Sequence, residues 1–172
     1  GTVALFLGVS AIAPRLLIAA ALGETATAAE TAAEAEGAAC LAPSALAALD
    51  ALPAGTVLGF IDSTPALLLH THHRGLAGPY HRNGRAIADT MRAWGGTPAQ
   101  ARAIISRHRI AYVIACGEPD EARVYDDRAP EGFHARLMRG ETPAWLTPVR
   151  GLNTPWRIWV VSRPLPGSGA GA

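Results

Sequence analysis

Residues 3–22, VALFLGVSAIAPRLLIAAAL, limit what this chain can fold into more than any other stretch. At about 1.5 Å of rise per residue, a helix of that length covers the roughly 30 Å hydrocarbon core of a bilayer. Pro14 and Arg15 interrupt the run. A membrane helix tolerates proline, but an arginine near its middle is costly unless it snorkels or faces other protein. A secretory signal is one competitor, yet no basic stretch precedes the apolar run and the chain opens on Gly1 without Met. A buried helix of a soluble protein is the other. The expectation is a transmembrane helix over residues 1–23, the last of several, since neighbouring spans would shelter Arg15.

Beyond the apolar run the chain changes character. Residues 24–39 (ETATAAETAAEAEGAA) favour helix but have no apolar stripe to bury, and read as a solvated helical continuation or a linker. Residues 164–172 are rich in Pro, Gly, Ser and Ala and give a chain no reason to order. Between them lies material for one domain, expected over residues 40–163. With 49% hydrophobic and 17% charged residues, the chain can bury a core and is not of the disordered class. All 15 basic residues are arginine, but the net charge is only +1, too small an excess for a nucleic-acid-binding surface. No nucleic-acid partner is expected.

Periodicity within the domain alternates between strand and helix. Residues 43–52 (PSALAALDAL) space leucines three apart, as a short amphipathic helix ended by Pro53 does. Residues 56–61 (TVLGFI) form an apolar strand-like run. Ser63, Thr64 and Pro65 then open a brief helix through His70. A second short strand is expected at 75–77 and a helix at 83–94, ended by Gly95 and Gly96. Thr97 caps another helix with Pro98 in its first turn. Residues 111–116 (AYVIAC) are the best strand in the chain. Two surface helices, 118–127 and 130–139, precede a last strand at 154–162. This order predicts an α/β domain: a small sheet with helices packed on it in a three-layer-like arrangement, after the transmembrane helix.

Chemistry-bearing residues gather between positions 62 and 83. Four of the six histidines lie within 70–81. Imidazoles with a carboxylate such as Asp62 can ligate a transition metal, but the spacing matches no strong metal motif, and backbone-bonded loop histidines are the plainer reading. No metal site is therefore assigned. In residues 78–84 (GPYHRNG), Gly and Pro fix the backbone while Tyr80, His81, Arg82 and Asn83 offer a ring, an imidazole, a bidentate cation and an amide. At a helix start, such a loop suits an anionic or sugar-like ligand. The structural alternative pairs Arg82 with Asp62 or Asp89 and makes Asn83 a helix cap. Asp126 and Asp127 read as solvated, and the tryptophans as packing. Cys40 and Cys116 either pair, tying the start of the domain to its best strand if the domain is exported, or stay buried as free thiols. No nucleophile elbow or phosphate-binding glycine loop is present, so no catalytic residue is assigned.

The order of these motifs resembles a known group. A strand ending in FID, a short helix, HRGLAGPYHRN, a helix, then TPAQARAIISRHRIAYVIAC is similar to the soluble C-terminal domain of polytopic GT-C-type membrane glycosyltransferases. Oligosaccharyltransferase catalytic subunits and transferases of lipid-linked sugars belong to that group. The helix pattern rests on Pro98, Ala101, Ile104, Ile105, Ile110, Tyr112 and Val113. The tails of uncharacterised multi-span proteobacterial proteins look similar as well. The resemblance covers about residues 40–116. Where oligosaccharyltransferases carry a WWDYG box, this chain has Gly59, Phe60, Ile61, Asp62 and Ser63, and only Asp62 corresponds.

The resemblance implies a C-terminal exoplasmic domain of a glycosyltransferase-like protein in the inner (cytoplasmic) membrane, on its periplasmic side. The implied partners are the lipid bilayer and a polyprenyl-phosphate sugar donor. In that superfamily the catalytic carboxylates and a divalent metal lie in loops between early spans, so no cofactor is expected here and the domain itself is expected to be non-catalytic. Ligand-binding residues are expected at Asp62, His73, Tyr80, His81, Arg82 and Asn83. The alternative is a membrane-anchored interaction domain with a purely structural histidine-rich loop.

Overall fold

The computed structural model describes residues 31, 35, 37–116 and 120–162. Contacts divide the chain after Ala35, and the sheet and its helices belong to the unit that begins at Glu36. The expected span at 1–23, most of the expected linker and the expected tail lie outside the described residues. Among the described residues, no helix is long and apolar enough to cross a membrane.

Helical residues 37–40 lead into α1 (Pro43–Asp50), which has proline in its first turn. Next come β1 (Thr56–Leu58), α2 (Thr64–His70), β2 (Arg74–Gly75) and a 3-10 turn (His81–Asn83). The chain continues through α3 (Gly84–Gly95), α4 (Pro98–Arg107), β3 (Ile110–Cys116), α5 (Asp120–Arg128), α6 (Phe133–Met138), β4 (Leu146–Pro148) and β5 (Trp156–Val161). Strong local signals made the boundaries. Thr97 and Gln100 form a reciprocal capping box that starts α4, and Arg109, with φ 52°, ends it in the left-handed conformation.

The five strands make one mixed sheet in the order β2-β1-β3-β5-β4. β2, β1 and β3 are parallel, β5 is antiparallel to β3, and β4 is antiparallel to β5. Side chains along β3 alternate between two cores, as the two-residue period of a strand requires. Val113 and Ala115 face α3, α4, α5 and α6 through Trp94, Ile105, Tyr125 and Phe133. Tyr112 and Ile114 face the opposite way, toward Leu46 and Leu49 of α1 and Leu67 of α2. The sheet therefore lies between two helical layers, and β3 is buried on both faces, which explains its unbroken apolar run.

Several expectations shift. The edge strand expected at 75–77 sits at Arg74–Gly75, where the Arg74 N–H donates to the Gly55 carbonyl at 3.0 Å and the Leu76 N–H to the Val57 carbonyl at 2.9 Å. Glycine suits that strand: a Cβ at Gly75 would lie 2.5 Å from the Thr64 methyl, so α2 can close onto β2 only here. The helix expected at 130–139 starts at Phe133, after Gly132. β4 was not expected, because its Leu-Thr-Pro run carries no alternation of its own and pairing to β5 makes it a strand.

A disulfide joins Cys40 to Cys116, 76 residues apart. It fastens the helical residues before α1 to the carboxyl end of β3, and the Trp156 indole N–H donates to the Cys40 carbonyl at 3.1 Å beside it.

Candidate functional site

In an open parallel sheet, ligands bind outside the carboxyl ends of the strands, where neighbouring connections run to opposite faces. β1 and β3 meet that condition. The chain leaving β1 forms α2, on the face of Leu67, whereas the chain leaving β3 forms α5, on the face of Ala122 and Tyr125. A cavity of about 150 Å³ lies between their ends, bounded by Phe60, Asp62, Ser63, Cys116 and Glu121 and overhung by Cys40 and Leu41. This volume is below the ~300–1,000 Å³ usual for whole small-molecule ligands, so the crevice suits one side chain or functional group of a larger partner.

Side-chain donors to its carbonyls hold the loop after β1. Ser63 and Thr64 hydroxyls both donate to the Phe60 carbonyl, at 2.9 and 3.1 Å, and the Trp94 indole N–H donates to the Gly59 carbonyl at 3.2 Å. Asp62 is thereby presented at the crevice rim, exposed, with its own N–H donating to Glu121 Oε2 at 3.1 Å. The other oxygen of Glu121 accepts the Tyr125 hydroxyl at 2.7 Å. Burial, with the Glu121 hydrogen bond behind it, pushes the Tyr125 phenol well above its ordinary value, so it stays a donor at any physiological pH. Glu121 is thus oriented through both oxygens, and the two carboxyl groups form an acceptor-rich rim over an apolar floor. Such a rim accepts hydrogen bonds from hydroxyl, amide or ammonium groups.

Residues 78–83 form a second cluster, after β2. The Tyr80 N–H donates to the Gly78 carbonyl at 2.7 Å and the Asn83 N–H to the Tyr80 carbonyl at 2.8 Å, closing two tight turns. A Cβ at Gly78 would meet the Tyr80 ring at 2.8 Å, so glycine there lets the ring lie along the loop. Tyr80 is 53% exposed, and His81 and Arg82 are exposed. The structural partners considered for Arg82 are taken elsewhere or do not pair with it. Asp89 is bound by Arg92, Arg107 and His108, and among the described residues no ion pair involves Arg82. Asn83 is half-buried at the start of α3, but its side chain makes no cap hydrogen bond.

His73 does not join either cluster. It is 4% exposed, with Nε2 at 2.8 Å from the Leu49 carbonyl and its ring edge-on to Tyr112, so it packs α1 against the sheet. His72 is likewise engaged, by Asp50 at 2.6 Å and by the Leu52 carbonyl. The histidine-rich string is therefore divided, with His72 and His73 turned to the α1 layer and His81 left exposed on the turn. Among the described residues, no group of three His, Cys, Asp or Glu is placed to hold a metal ion.

Sequence reasoning missed Glu121, whose only signal was its four-residue spacing from Tyr125 on a helix. It also missed His134, buried among Phe60, Trp94 and Tyr125 with Nδ1 2.8 Å from Asp126 Oδ1 and Nε2 without a partner. Asp126 is therefore not simply solvated, because it orients this ring.

The chain matches no protein-family model and no curated protein. Among solved structures it is similar to the C-terminal globular domain of an oligosaccharyltransferase from Archaeoglobus fulgidus, with a TM-score of 0.50 and 12% identity. The match covers 66% of this chain and 88% of that one. At that identity the likeness concerns the fold.

Proposed function

We propose that this chain is the C-terminal exoplasmic domain of a membrane glycosyltransferase-like protein that uses a lipid-linked sugar, and that the domain positions ligand without performing the chemistry. The observation that carries the reading is the crevice at the carboxyl ends of β1 and β3, with Asp62 and Glu121 on its rim, in a fold shared with an oligosaccharyltransferase globular domain. A hydroxyl-rich or amide-bearing acceptor finds hydrogen-bond acceptors there. Arg82, which has no ion-pair partner among the described residues, offers a bidentate cation to a phosphate such as that of a polyprenyl-phosphate donor. Asp62, Tyr80, His81, Arg82 and Asn83 are the proposed contact residues. His73 supports them only through the sheet.

In this reading the domain sits on the periplasmic side of the inner membrane, carried by the apolar run at 3–22, and any divalent metal belongs to the membrane portion. The test is transfer activity of the full-length protein. Asp62→Asn and Arg82→Ala are each expected to lower kcat/KM about tenfold or more, the loss of one charged hydrogen bond of about 1.5–3 kcal/mol, with the domain's melting transition unchanged. Normal turnover in both variants overturns the assignment and favours a membrane-anchored interaction domain.

A further inference from the structure

Residues 63–88 hold three arginines and four histidines but no aspartate or glutamate, although the chain has 14 carboxylates elsewhere. These residues build one border of the molecule, since β2 is the edge strand of the sheet, α2 precedes it and the 3-10 turn comes after it. Their contacts bring the pieces together. The Thr64 methyl at the start of α2 lies against both Gly75 and Gly78, and the Tyr80 ring lies against Gly78. Leu68, one turn after Thr64, continues the same side of α2.

This border also exposes apolar surface that a domain in water has reason to bury. Leu69 is 77% exposed, more than any other large hydrophobic residue described, and Leu68 and Tyr80 are 45% and 53% exposed. Arg74, Arg82 and Arg85 of the same segment are exposed and make no ion pair among the described residues, Arg74 projecting from the face of the edge opposite that of Gly75 and α2. The carboxylates closest in sequence do not neutralise them. Asp50 is engaged by His72, Asp89 is buried under Arg92, Arg107 and His108, and Asp62 stands beside Glu121 at the crevice.

Exposed leucines and a tyrosine on a border that also carries exposed arginines match the interfacial layer of an anionic bilayer, which takes apolar and aromatic groups below its phosphates and cations at their level. A purely electrostatic nucleic-acid surface would have no use for Leu68 and Leu69. We infer that the β2 edge, with Leu68, Leu69 and Tyr80 inserted and Arg74, Arg82 and Arg85 on the head groups, is the face this domain lays on an anionic membrane surface. The inference rests on residues 3–22 being membrane-embedded. Lying on that face, the domain would hold Arg82 at the depth of lipid phosphates.

The test uses the whole 172-residue chain reconstituted in vesicles, with an environment-sensitive fluorophore on Leu69→Cys and, for comparison, on Val124→Cys of α5. In vesicles containing phosphatidylglycerol, the label at position 69 should shift to shorter wavelength and be quenched at least threefold more by spin-labelled lipid than the label at 124. Vesicles of phosphatidylcholine alone, or the combined Arg74→Ala, Arg82→Ala and Arg85→Ala substitutions, should remove most of that difference. Carbonate extraction reports separately on membrane embedding. If the chain resists extraction but position 69 stays as aqueous as 124, the docking face is wrong while the membrane attachment stands. Equal quenching in both lipids also overturns the inference. If the chain is extracted from the vesicles, the inference falls together with the embedding on which it rests.

Discussion

Asp89 shows how one buried charge can be kept stable by exposed ones. It is 4% exposed at the junction of α3 and α4, with Arg92 and Arg107 each at 3.2 Å and His108 Nε2 at 2.8 Å. The His108 hydrogen bond, helped by the arginine charges, holds its carboxyl below the ordinary value against the opposing push of burial. A carboxyl depressed in the folded state contributes stability that is complete above its unfolded value, about 3.9, and is lost as pH falls through the lower folded value. Asp89→Ala should therefore cost about 2 kcal/mol at neutral pH, the scale of a hydrogen bond to a charged group. The gap from the unsubstituted protein should close as pH drops below about 4. Denaturant unfolding across pH 2–7 measures it, and a gap that widens in acid would contradict the assignment. In the sequence Asp89 offered only a hypothetical partner for Arg82. Besides Arg92 one turn along α3, its partners lie 18 and 19 residues away at the end of α4, a relation that only the packing of α3 on α4 creates.

At the scale of elements, local signals were legible wherever residues close in sequence settle the outcome. The start of α4 is the clearest case: the Thr97 hydroxyl accepts the Gln100 N–H at 3.3 Å, and the Gln100 side chain accepts the Thr97 N–H at 2.8 Å. Thr97→Ala should destabilise the domain by about 1 kcal/mol, and Thr97→Ser by much less, in matched urea unfolding curves. β3 was legible because burial on both faces leaves a continuous apolar run. β4 was not, because its strand character is supplied by β5. The site divides in the same way. Asp62 and the 78–83 loop could be picked out from composition and turn chemistry. Glu121 could not, because it reaches Asp62 across 59 residues, only once β1 and β3 lie side by side. His73 was a candidate through the resemblance, as the first of the His73-Arg74 pair before a strand, and the fold turns its ring toward Leu49.

For the molecule as a whole, the link between Cys40 and Cys116 sets how much of the fold is held in the unfolded state. Closing a loop across a separation of 76 residues is worth about 4.5 kcal/mol on the chain-entropy account. The Cys40→Ser, Cys116→Ser double variant should unfold at correspondingly lower denaturant and with a steeper dependence, because its unfolded chain exposes more surface. An unchanged midpoint would mean that native-state strain cancels the gain. The sequence allowed this pairing without deciding it, since two buried thiols would have read the same. The bond also divides the chain topologically. Residues 40–116 become a closed covalent ring containing β1, β2 and β3, while β4 and β5 hang outside it. A protease that cuts once within the exposed turn at 80–82 would open that ring without releasing a fragment. The nicked protein would run as one piece until reduced and as two afterwards, and the crevice between β1 and β3 could outlast a break in the backbone that connects them.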